Sequence, residues 1–458
     1  MLEGWLDKAM SGGAQYADLR VLRVESTRLE LKDGELKEAV EGQEAGFGLR
    51  VLVDGAWGFA SANSLSPEQG EAAVGRALSL ARATAARAGE PVVLAEVPAV
   101  TDTVVWRPGI DPGDVPIEDK LEMLRDMEAA ARAAPDLATV TTAYSGGTRR
   151  VELLTSEGTH LVHGLTRVLA VANLTGRKEG VISSFRTRVG GVGGFEVFSR
   201  DDPVSKVSSA AGSLETLLDA GRAPGGRMTA IVDPDMAGVL VHEAFGHACE
   251  ADLVLAGESI LDGRLGEELA ARGVTIFDDP TMEGAFGSFP YDDEGVRGAR
   301  KVLLDRGVLT SFIHSRETAG RLGHQPNGAA RAQDHGSRPL VRMSNTCLEP
   351  GDLSLEEVFE GVREGIYLKG TRGGEVDTSK GTFQFGAQEA FMVRDGEVAE
   401  PLRDVALMGS ILETLVNVDG IGREFQLASP GFCGKGQTVP VCDGGPHVRL
   451  RDAVVGGG

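Results

Sequence analysis

The sequence predicts an α+β fold, in which an N-terminal α/β region with antiparallel sheets and flanking helices precedes a strand-rich C-terminal domain. Segments whose side chains alternate with a period of two are separated by Asp-Gly turns, and amphipathic segments lie between them. Glycine supplies 63 of the 458 residues, which is typical of a chain with many tight turns. We divide the chain into three parts: residues 1–90, 91–225 and 226–458.

Residues 1–90 are predicted to form a small α/β subdomain. A short helix covers Leu2–Met10, and a Ser-Pro-Glu start predicts a helix from Ser66 to Ala88. Asp33-Gly34 and Asp54-Gly55 are hairpin turn signals. The alternating pattern predicts strands over residues 16–24, 27–31, 35–40 and 46–53.

Residues 91–225 are predicted to form a central α/β subdomain. Five prolines make residues 89–116 a predicted linker or extended crossover. Helices are expected at Ile117–Ala133 and Asp202–Ala220. The glycine-rich stretch 190–194 is expected to be a hairpin or loop, because it lacks the strand–loop–helix frame of a phosphate loop. Strands are expected over residues 137–144, 149–155, 181–189 and from residue 159 onward.

Residues 226–458 are predicted to form a curved antiparallel sheet that carries one functional helix. The buried-type strand Met228–Val232 leads into this helix, which Asp233 caps and Pro234 opens. Val405–Leu415 fits either a helix or a strand. The three acidic residues within Tyr291–Gly295 are expected in a solvated turn, with the orientation of a histidine or a substrate amine as the alternative.

The functional helix contains His242-Glu243-Ala-Phe-Gly-His247. Two imidazoles are good ligands for Zn²⁺, and Glu243 stands where a general base would deprotonate a metal-bound water. The two histidines are five positions apart, which is roughly 140° around an ideal helix. An undistorted helix therefore does not aim both rings at one ion. We expect a one-residue bulge, or a helix end, near Gly246.

A catalytic metal site needs a third protein ligand and one open position. Cys433 lies in a glycine-rich turn beside Lys435, whose ammonium group would help to hold a thiolate. We rank Cys433 first, Glu250 second and Cys249 third, because residues two apart on a helix point in different directions. His447 remains a further alternative.

The composition excludes several classes of protein. A net charge of −22 argues against binding to nucleic acid or to an anionic membrane surface. No apolar run is long enough to span a membrane, and Met1–Lys8 lacks the features of a signal peptide. The four cysteines form no Cys-x-x-Cys pair. We therefore expect a cytoplasmic protein.

The His-Glu-x-x-x-His segment together with Cys433-Gly-Lys-Gly-Gln resembles the TldD/PmbA family of metalloproteases, as do Tyr291–Gly295 and Arg342–Thr346. The resemblance covers nearly the whole chain. It implies that His242, His247 and Cys433 hold one zinc ion per chain and that Glu243 is the base. It also implies cleavage of short or unfolded peptides, and pairing with a TldE/PmbA-type subunit or with a second copy of the chain.

The predicted function is therefore that of a zinc-dependent peptidase, with a histidine or arginine from residues 314–335 stabilising the oxyanion. The alternative is a non-catalytic, metal-containing binding or regulatory subunit. A closed four-ligand site that includes Cys249 or Glu250 would favour this alternative, because no position would remain for water.

Overall fold

The structure is a computed structural model and describes residues 2–87 and 89–457. Its N-terminal half combines long strands with helices that pack on the sheet. In chain order the elements are α1 (Leu2–Ser11), β1 (Tyr16–Lys32), β2 (Glu35–Val53), β3 (Ala56–Ala62), α2 (Pro67–Ala85), β4 (Thr101–Trp106), α3 (Ile117–Ala131), β5 (Leu137–Thr155), β6 (His160–Lys178), β7 (Val181–Val192), α4 (Val197–Arg200) and α5 (Pro203–Asp219).

These strands form one seven-stranded sheet in the order β3-β2-β1-β5-β6-β4, with β7 also paired to β6. All neighbours are antiparallel except β4 and β6. The prediction of several short strands was wrong, since β1 runs unbroken for 17 residues. It pairs with β2 on one side and β5 on the other along most of its length. The backbone hydrogen bonds to these neighbours keep β1 extended where its own side chains alternate only weakly.

Local turn signals and helices were predicted more accurately. Asp33-Gly34 and Asp54-Gly55 both adopt positive φ angles, as two-residue hairpin turns require. The helix predicted over Ser66–Ala88 ends at Ala85, and Ala88 lies outside the described residues. The predicted linker 89–116 contains the strand β4, whose parallel pairing with β6 depends on a partner far along the chain.

The C-terminal half contains many short strands and short helices. In chain order they are β8 (Gly221–Arg222), β9 (Gly226–Val232), α6 (Pro234–Val239), α7 (Ala251–Leu255), β10 (Ile276–Asp278), β11 (Lys301–Asp305), β12 (Val308–Leu309), α8 (Arg316–Leu322), β13 (Ala330–Arg331), β14 (Leu340–Val341), β15 (Asn345–Leu348), α9 (Leu355–Phe359), β16 (Glu364–Asp377), β17 (Thr382–Arg394), β18 (Glu397–Arg403), β19 (Val405–Ser410), α10 (Ile411–Val416), β20 (Val418–Ile421), β21 (Gln426–Leu427), β22 (Gly431–Gly434), β23 (Thr438–Gly445) and β24 (Val448–Gly457).

Five of these strands close into a barrel, because β16 pairs with β9 at one end of the series β16-β9-β24-β19-β17 and with β17 at the other. A second sheet has the order β12-β11-β10-β15-β23-β21, with β22 paired to β23. The strand-rich, curved C-terminal domain is confirmed, but its sheets are not purely antiparallel. β9 runs parallel to β16, and β15 runs parallel to β23.

The functional helix lies between these two sheets. α6 follows directly from the barrel strand β9 and packs against β16 of the barrel and β23 of the second sheet. Because β23 forms a hairpin with β22, this position brings the helical segment close to a hairpin that lies almost two hundred residues further along the chain. The surrounding core is apolar and includes Met236, Val241 and Phe245.

The acidic segment Tyr291–Gly295 is buried, so the prediction of a solvated turn was wrong. Asp293 contacts Arg149 at 3.0 Å, and Glu294 contacts Arg50 at 3.0 Å. Both arginines belong to the N-terminal sheet. The segment therefore joins the two halves of the molecule through buried and partly buried ion pairs, which periodicity in the sequence does not reveal.

None of the helices in the described part of the chain combines the length and the apolar character that crossing a bilayer requires.

Candidate metal centre

The helix that carries the histidine motif starts as predicted and then changes its winding. The Asp233 side chain accepts a hydrogen bond from the Met236 N–H at 2.8 Å, and Pro234 occupies the first turn. Regular α-helical winding ends at Val239. The chain is π-helical from Leu240 to Gly246 and closes with a tight 3₁₀ turn.

The π-helical turn explains how histidines five residues apart meet. In such a turn the backbone hydrogen bond spans five residues, and the His247 N–H donates to the His242 carbonyl. The two imidazole rings therefore lie on the same side of the helix, with centroids 5.4 Å apart. Gly246 also permits close packing, because a Cβ there would lie 2.2 Å from the sulfur of Met343. The predicted distortion near Gly246 is confirmed.

The β22–β23 hairpin brings Cys433 to these two rings. Its Sγ lies 3.2 Å from Nε2 of His247. One donor atom each from His242, His247 and Cys433 lies within 4.8 Å of the other two, and all three residues are buried. The spacing and burial suit a single metal ion, and the combination of two imidazoles and a thiolate is a donor set that zinc favours.

A buried arginine holds the cysteine turn in place. Arg342 donates to the carbonyl oxygen of Cys433 at 2.6 Å and to that of Gln437 at 2.6 Å. It therefore fixes both ends of the glycine-rich turn. Reasoning from the sequence gave Arg342 no role in the site, because nothing local links it to a turn more than ninety residues away.

Glu250 contacts one of the three candidate donors and does not join their group. Its Oε2 lies 2.8 Å from Nδ1 of His247, on the far side of the ring from Cys433. A carboxylate in this position fixes the tautomer and the orientation of a metal-binding histidine. Lys435 contacts Glu250 at 3.2 Å and Asp252 at 2.9 Å, so its positive charge offsets part of theirs. Among the described residues Lys435 contacts these carboxylates and not Cys433, so the expectation that its ammonium group holds the thiolate is not supported.

The other ranked alternatives lie outside the group of three donors. Cys249 is fully buried, and burial raises the pKa of its thiol well above the ordinary value. His447 shares a hydrogen bond of 3.0 Å with the Tyr367 hydroxyl. Within the described residues, the candidate centre therefore has three donors and not four.

Electrostatics favour a deprotonated cysteine even without a metal. Burial raises the pKa of the Cys433 thiol, but hydrogen bonds and charge from His242 and His247 outweigh burial and bring the pKa to about 5. Burial lowers the pKa of His247, but the Glu250 carboxylate and the thiolate more than offset it. A metal ion would replace the protons that these groups share.

One buried atom at the centre also lacks a partner. Nδ1 of His242 is shielded from solvent and makes no hydrogen bond to any described residue. A buried polar atom without a partner is unfavourable unless something else satisfies it. Together with the chemistry of the donor set, this atom indicates that the residues present fit a bound metal ion.

A cavity of about 280 Å³ opens beside the centre, lined by His242 and Glu243 and also by Arg186, Arg188 and Arg372. Oε2 of Glu243 lies 3.5 Å from Nε2 of His247, and 31% of the Glu243 side chain is exposed. The carboxylate therefore faces both the candidate metal position and the cavity, as a general base must.

None of residues 314–335, among which a histidine or an arginine was expected to stabilise the oxyanion, lines this cavity. His314 stacks on His324 with ring centroids 5.1 Å apart, and Arg331 donates to the carbonyl oxygen of Met343. The arginines that do face the cavity come from β7 and β16, which are distant in sequence from the motif.

Three consecutive parts of the sequence match the domains of one protein family. Residues 17–81 match PmbA/TldA metallopeptidase domain 1, residues 110–218 match the central domain and residues 225–457 match the C-terminal domain.

Individual proteins show the same relationship. A metalloprotease of Methanothermobacter thermautotrophicus is 46% identical over 445 residues, which are 97% of this chain and 96% of that protein. The zinc metalloprotease TldD homolog of Saccharolobus solfataricus is 31% identical in an alignment of 464 positions that covers 99% of each chain. The crystal structure of TldE from Thermococcus kodakarensis is 19% identical, covers all of both chains and superposes with a TM-score of 0.75, so the fold is shared.

Proposed function

This chain belongs to the PmbA/TldD family of metalloproteases, and we propose that it is a zinc-dependent peptidase that hydrolyses peptide bonds of short or unfolded peptides. His242, His247 and Cys433 would hold one zinc ion, and Glu243 would act as the general base. The relative from Saccharolobus solfataricus is named a zinc metalloprotease, and the thiolate in the donor set supports the same metal here.

The observation that carries this proposal is the arrangement of three buried donors beside a partly exposed carboxylate. The donors lie within 4.8 Å of one another, and Glu243 faces a cavity that reaches the same place. A catalytic zinc site keeps a position open for the reaction, whereas a structural site closes with four protein ligands. Glu250 contacts the other ring nitrogen of His247 and is therefore not a fourth ligand. This arrangement favours the peptidase over a non-catalytic metal-binding subunit.

The chain's own residues have distinct tasks in hydrolysis. When bound, the ion supplies Lewis acidity, which makes water more acidic and a peptide carbonyl more electrophilic. Glu243 takes the proton of the attacking water and later gives it to the leaving amine. Glu250 keeps His247 in one tautomer, and Arg342 keeps the cysteine turn in position. Arg188, which lines the cavity, is available to stabilise negative charge on the substrate.

The test compares the purified chain with Glu243→Gln. Both proteins should contain one equivalent of zinc by elemental analysis, and only the unsubstituted chain should cleave a set of unstructured peptides followed by mass spectrometry. Removing a general base lowers kcat by about 10²–10⁴-fold. Chelation should abolish cleavage by the unsubstituted chain, and added zinc should restore it. Full activity in Glu243→Gln would exclude Glu243 as the base.

We also propose that the active form is a pair, made either with a TldE/PmbA-type subunit or with a second copy of this chain. The family resemblance supports pairing, and the fold shared with TldE is compatible with it. Light scattering of the chain alone, and again after co-expression with a TldE-type protein from the same genome, tests both forms. A monomer in both samples with full peptidase activity would contradict pairing.

A further inference from the structure

A second cavity, of about 500 Å³, lies where the N-terminal sheet meets the C-terminal domain. Strands β5 and β6 supply part of its wall, and β13 and β23 supply the opposite part. Four arginines line it, although the chain as a whole carries a net charge of −22. They are Arg28, Arg149, Arg167 and Arg331.

Two of these guanidinium groups have no carboxylate partner among the described residues. Arg167 donates to the carbonyl oxygens of Phe286 and Ser288, each at 2.7 Å. Arg331 donates to those of Met343 and Pro440, at 2.6 and 2.7 Å. Carbonyl groups satisfy the N–H donors but leave the positive charges uncompensated, and charges held in a protein interior are expected to be paired.

The carboxylates nearby do not balance these charges. Asp293 contacts Arg149 at 3.0 Å but also lies 3.8 Å from the buried Arg20. Asp292, in the same wall, accepts hydrogen bonds from the backbone N–H groups of Val296 and Ala330 and contacts no arginine in the described part of the chain, so two carboxylates face four arginines. The cavity therefore keeps an excess of positive charge.

A further polar group in the wall also lacks a partner. His163 is 3% exposed, and its Nε2 is buried without a hydrogen bond to any described residue. An imidazole N–H next to guanidinium groups is suited to donate to an oxyanion, and arginine binds carboxylate with two parallel hydrogen bonds.

Phe432 connects this cavity with the candidate active site. Its ring lines both cavities and is 55% exposed, and it directly precedes the proposed ligand Cys433. A peptide that lies across Phe432 with its scissile bond at the metal centre would therefore extend one end into the cationic cavity.

We propose that the cationic cavity binds a carboxylate of the peptide substrate and so directs the enzyme to peptides that carry negative charge on one side of the cleaved bond. This inference rests on the proposed peptidase function. The carboxylate belongs either to the C-terminus of the peptide or to an aspartate or glutamate side chain, and the two sources share one recognition chemistry.

The experiment measures binding in the full-length Glu243→Gln chain loaded with zinc, so that no cleavage is required. Three fluorescent peptides are derived from one sequence without charged side chains. The first has a free C-terminal carboxylate, the second is its C-terminal amide, and the third is the amide with one internal residue replaced by glutamate. We expect at least one of the two charged peptides to bind about tenfold or more tightly than the neutral amide, which corresponds to one charge-assisted hydrogen bond. The tighter of the two identifies the source of the carboxylate. Equal affinity for all three peptides would overturn the proposal.

Arg149 and Arg150 provide a matched pair of variants, because they are adjacent on β5 and point to opposite faces of the sheet. Arg149 lines the cavity, whereas Arg150 is exposed to solvent and does not line it. Arg149→Gln removes one of the four positive charges and should weaken the preference for the charged peptide, and Arg150→Gln should keep it. Arg149→Lys should retain most of the preference, which loss of structure alone would not produce. A preference unchanged in Arg149→Gln would contradict the assignment.

The two proposals fail in different ways. A chain that prefers charged peptides but never cleaves them, even with a partner subunit, would refute the peptidase and leave the carboxylate site standing. A chain that cleaves neutral and charged peptides with the same kcat/KM would refute the carboxylate site alone.

Discussion

The His247 N–H donates a hydrogen bond to the carbonyl oxygen of His242, five residues earlier in the chain. This single π-helical bond gives the His-Glu-x-x-x-His spacing the geometry that the shorter His-Glu-x-x-His spacing obtains from a regular helix. The wider π-helical turn accommodates the extra residue without breaking the helix. The candidate metal centre therefore depends on the contacts that stabilise this turn.

Gly246→Ala should destabilise the protein. A Cβ at residue 246 would lie 2.2 Å from the sulfur of Met343, which is itself fully buried, so the side chain has little room to move. Overpacking of this kind typically costs about 1–3 kcal/mol of the free energy of unfolding, measured by urea denaturation. Zinc content should fall at the same time if Met343 and the turn shift together.

Gly212→Ala is the matched control for that substitution. Gly212 lies within α5, is exposed, and has no atom within 4 Å of the position its Cβ would occupy. Alanine is favoured over glycine inside a helix by about 1 kcal/mol, so this variant should be more stable than the unsubstituted chain. Equal effects of the two substitutions would contradict the close approach at Gly246.

Cys433→Ser should lower zinc content below one equivalent after dialysis. The hydroxyl group of serine is a much poorer zinc ligand than a thiolate, and the two imidazoles alone do not complete a catalytic site. Cys249→Ala is the control, because Cys249 is also buried but lies outside the donor group. Elemental analysis measures the zinc content of both variants. Loss of zinc from Cys249→Ala, with zinc retained in Cys433→Ser, would identify Cys249 as the ligand instead of Cys433.

The parts of the site that follow local rules could be predicted from the sequence. The Asp233 cap, the Gly246 distortion and the donors His242 and His247 depend on residues within one helix. Cys433 was placed by a ligand count and by family resemblance, because its position depends on a distant hairpin.

Other features depend on contacts between segments far apart in sequence. The buried ion pair of Glu294 joins residues 244 positions apart, and Arg342 reaches the cysteine turn across 91 positions. No periodicity reports such contacts. The strand β1 was predicted in pieces for the same reason, since its continuity comes from β2 and β5 and not from its own alternation.

Glu250→Gln should weaken zinc binding by about 10–100-fold, which is the usual effect of removing a partner that orients a metal-binding histidine. Glutamine keeps an oxygen for the His247 Nδ1–H but loses the negative charge, and it leaves Lys435 without one of its two carboxylates. Asp252→Asn is the control, because Asp252 also pairs with Lys435 but does not contact His247. Competition with a chromogenic chelator measures both affinities. Equal losses in the two variants would show that the effect comes from Lys435.

The stability of the protein should depend on pH through His163. Burial lowers the pKa of this residue to about 4, helped by repulsion from Arg149 and Arg20 and opposed by Asp293. Between pH 6.5 and 4 the unfolded chain therefore binds a proton at His163 that the folded chain does not, so this contribution to the free energy of unfolding falls as the pH is lowered. For the pKa difference involved, the full loss is about 3 kcal/mol.

His163→Gln removes this titration. As the pH is lowered from 7.5 to 4, the variant should therefore lose less free energy of unfolding than the unsubstituted chain. Urea denaturation at several pH values measures the difference, and other titrating groups cancel because both proteins share them. Bound carboxylate would oppose the effect, since a negative charge beside His163 favours its protonated form. Parallel curves for the two proteins, with and without a free-acid peptide, would show that His163 stays solvated in the folded protein.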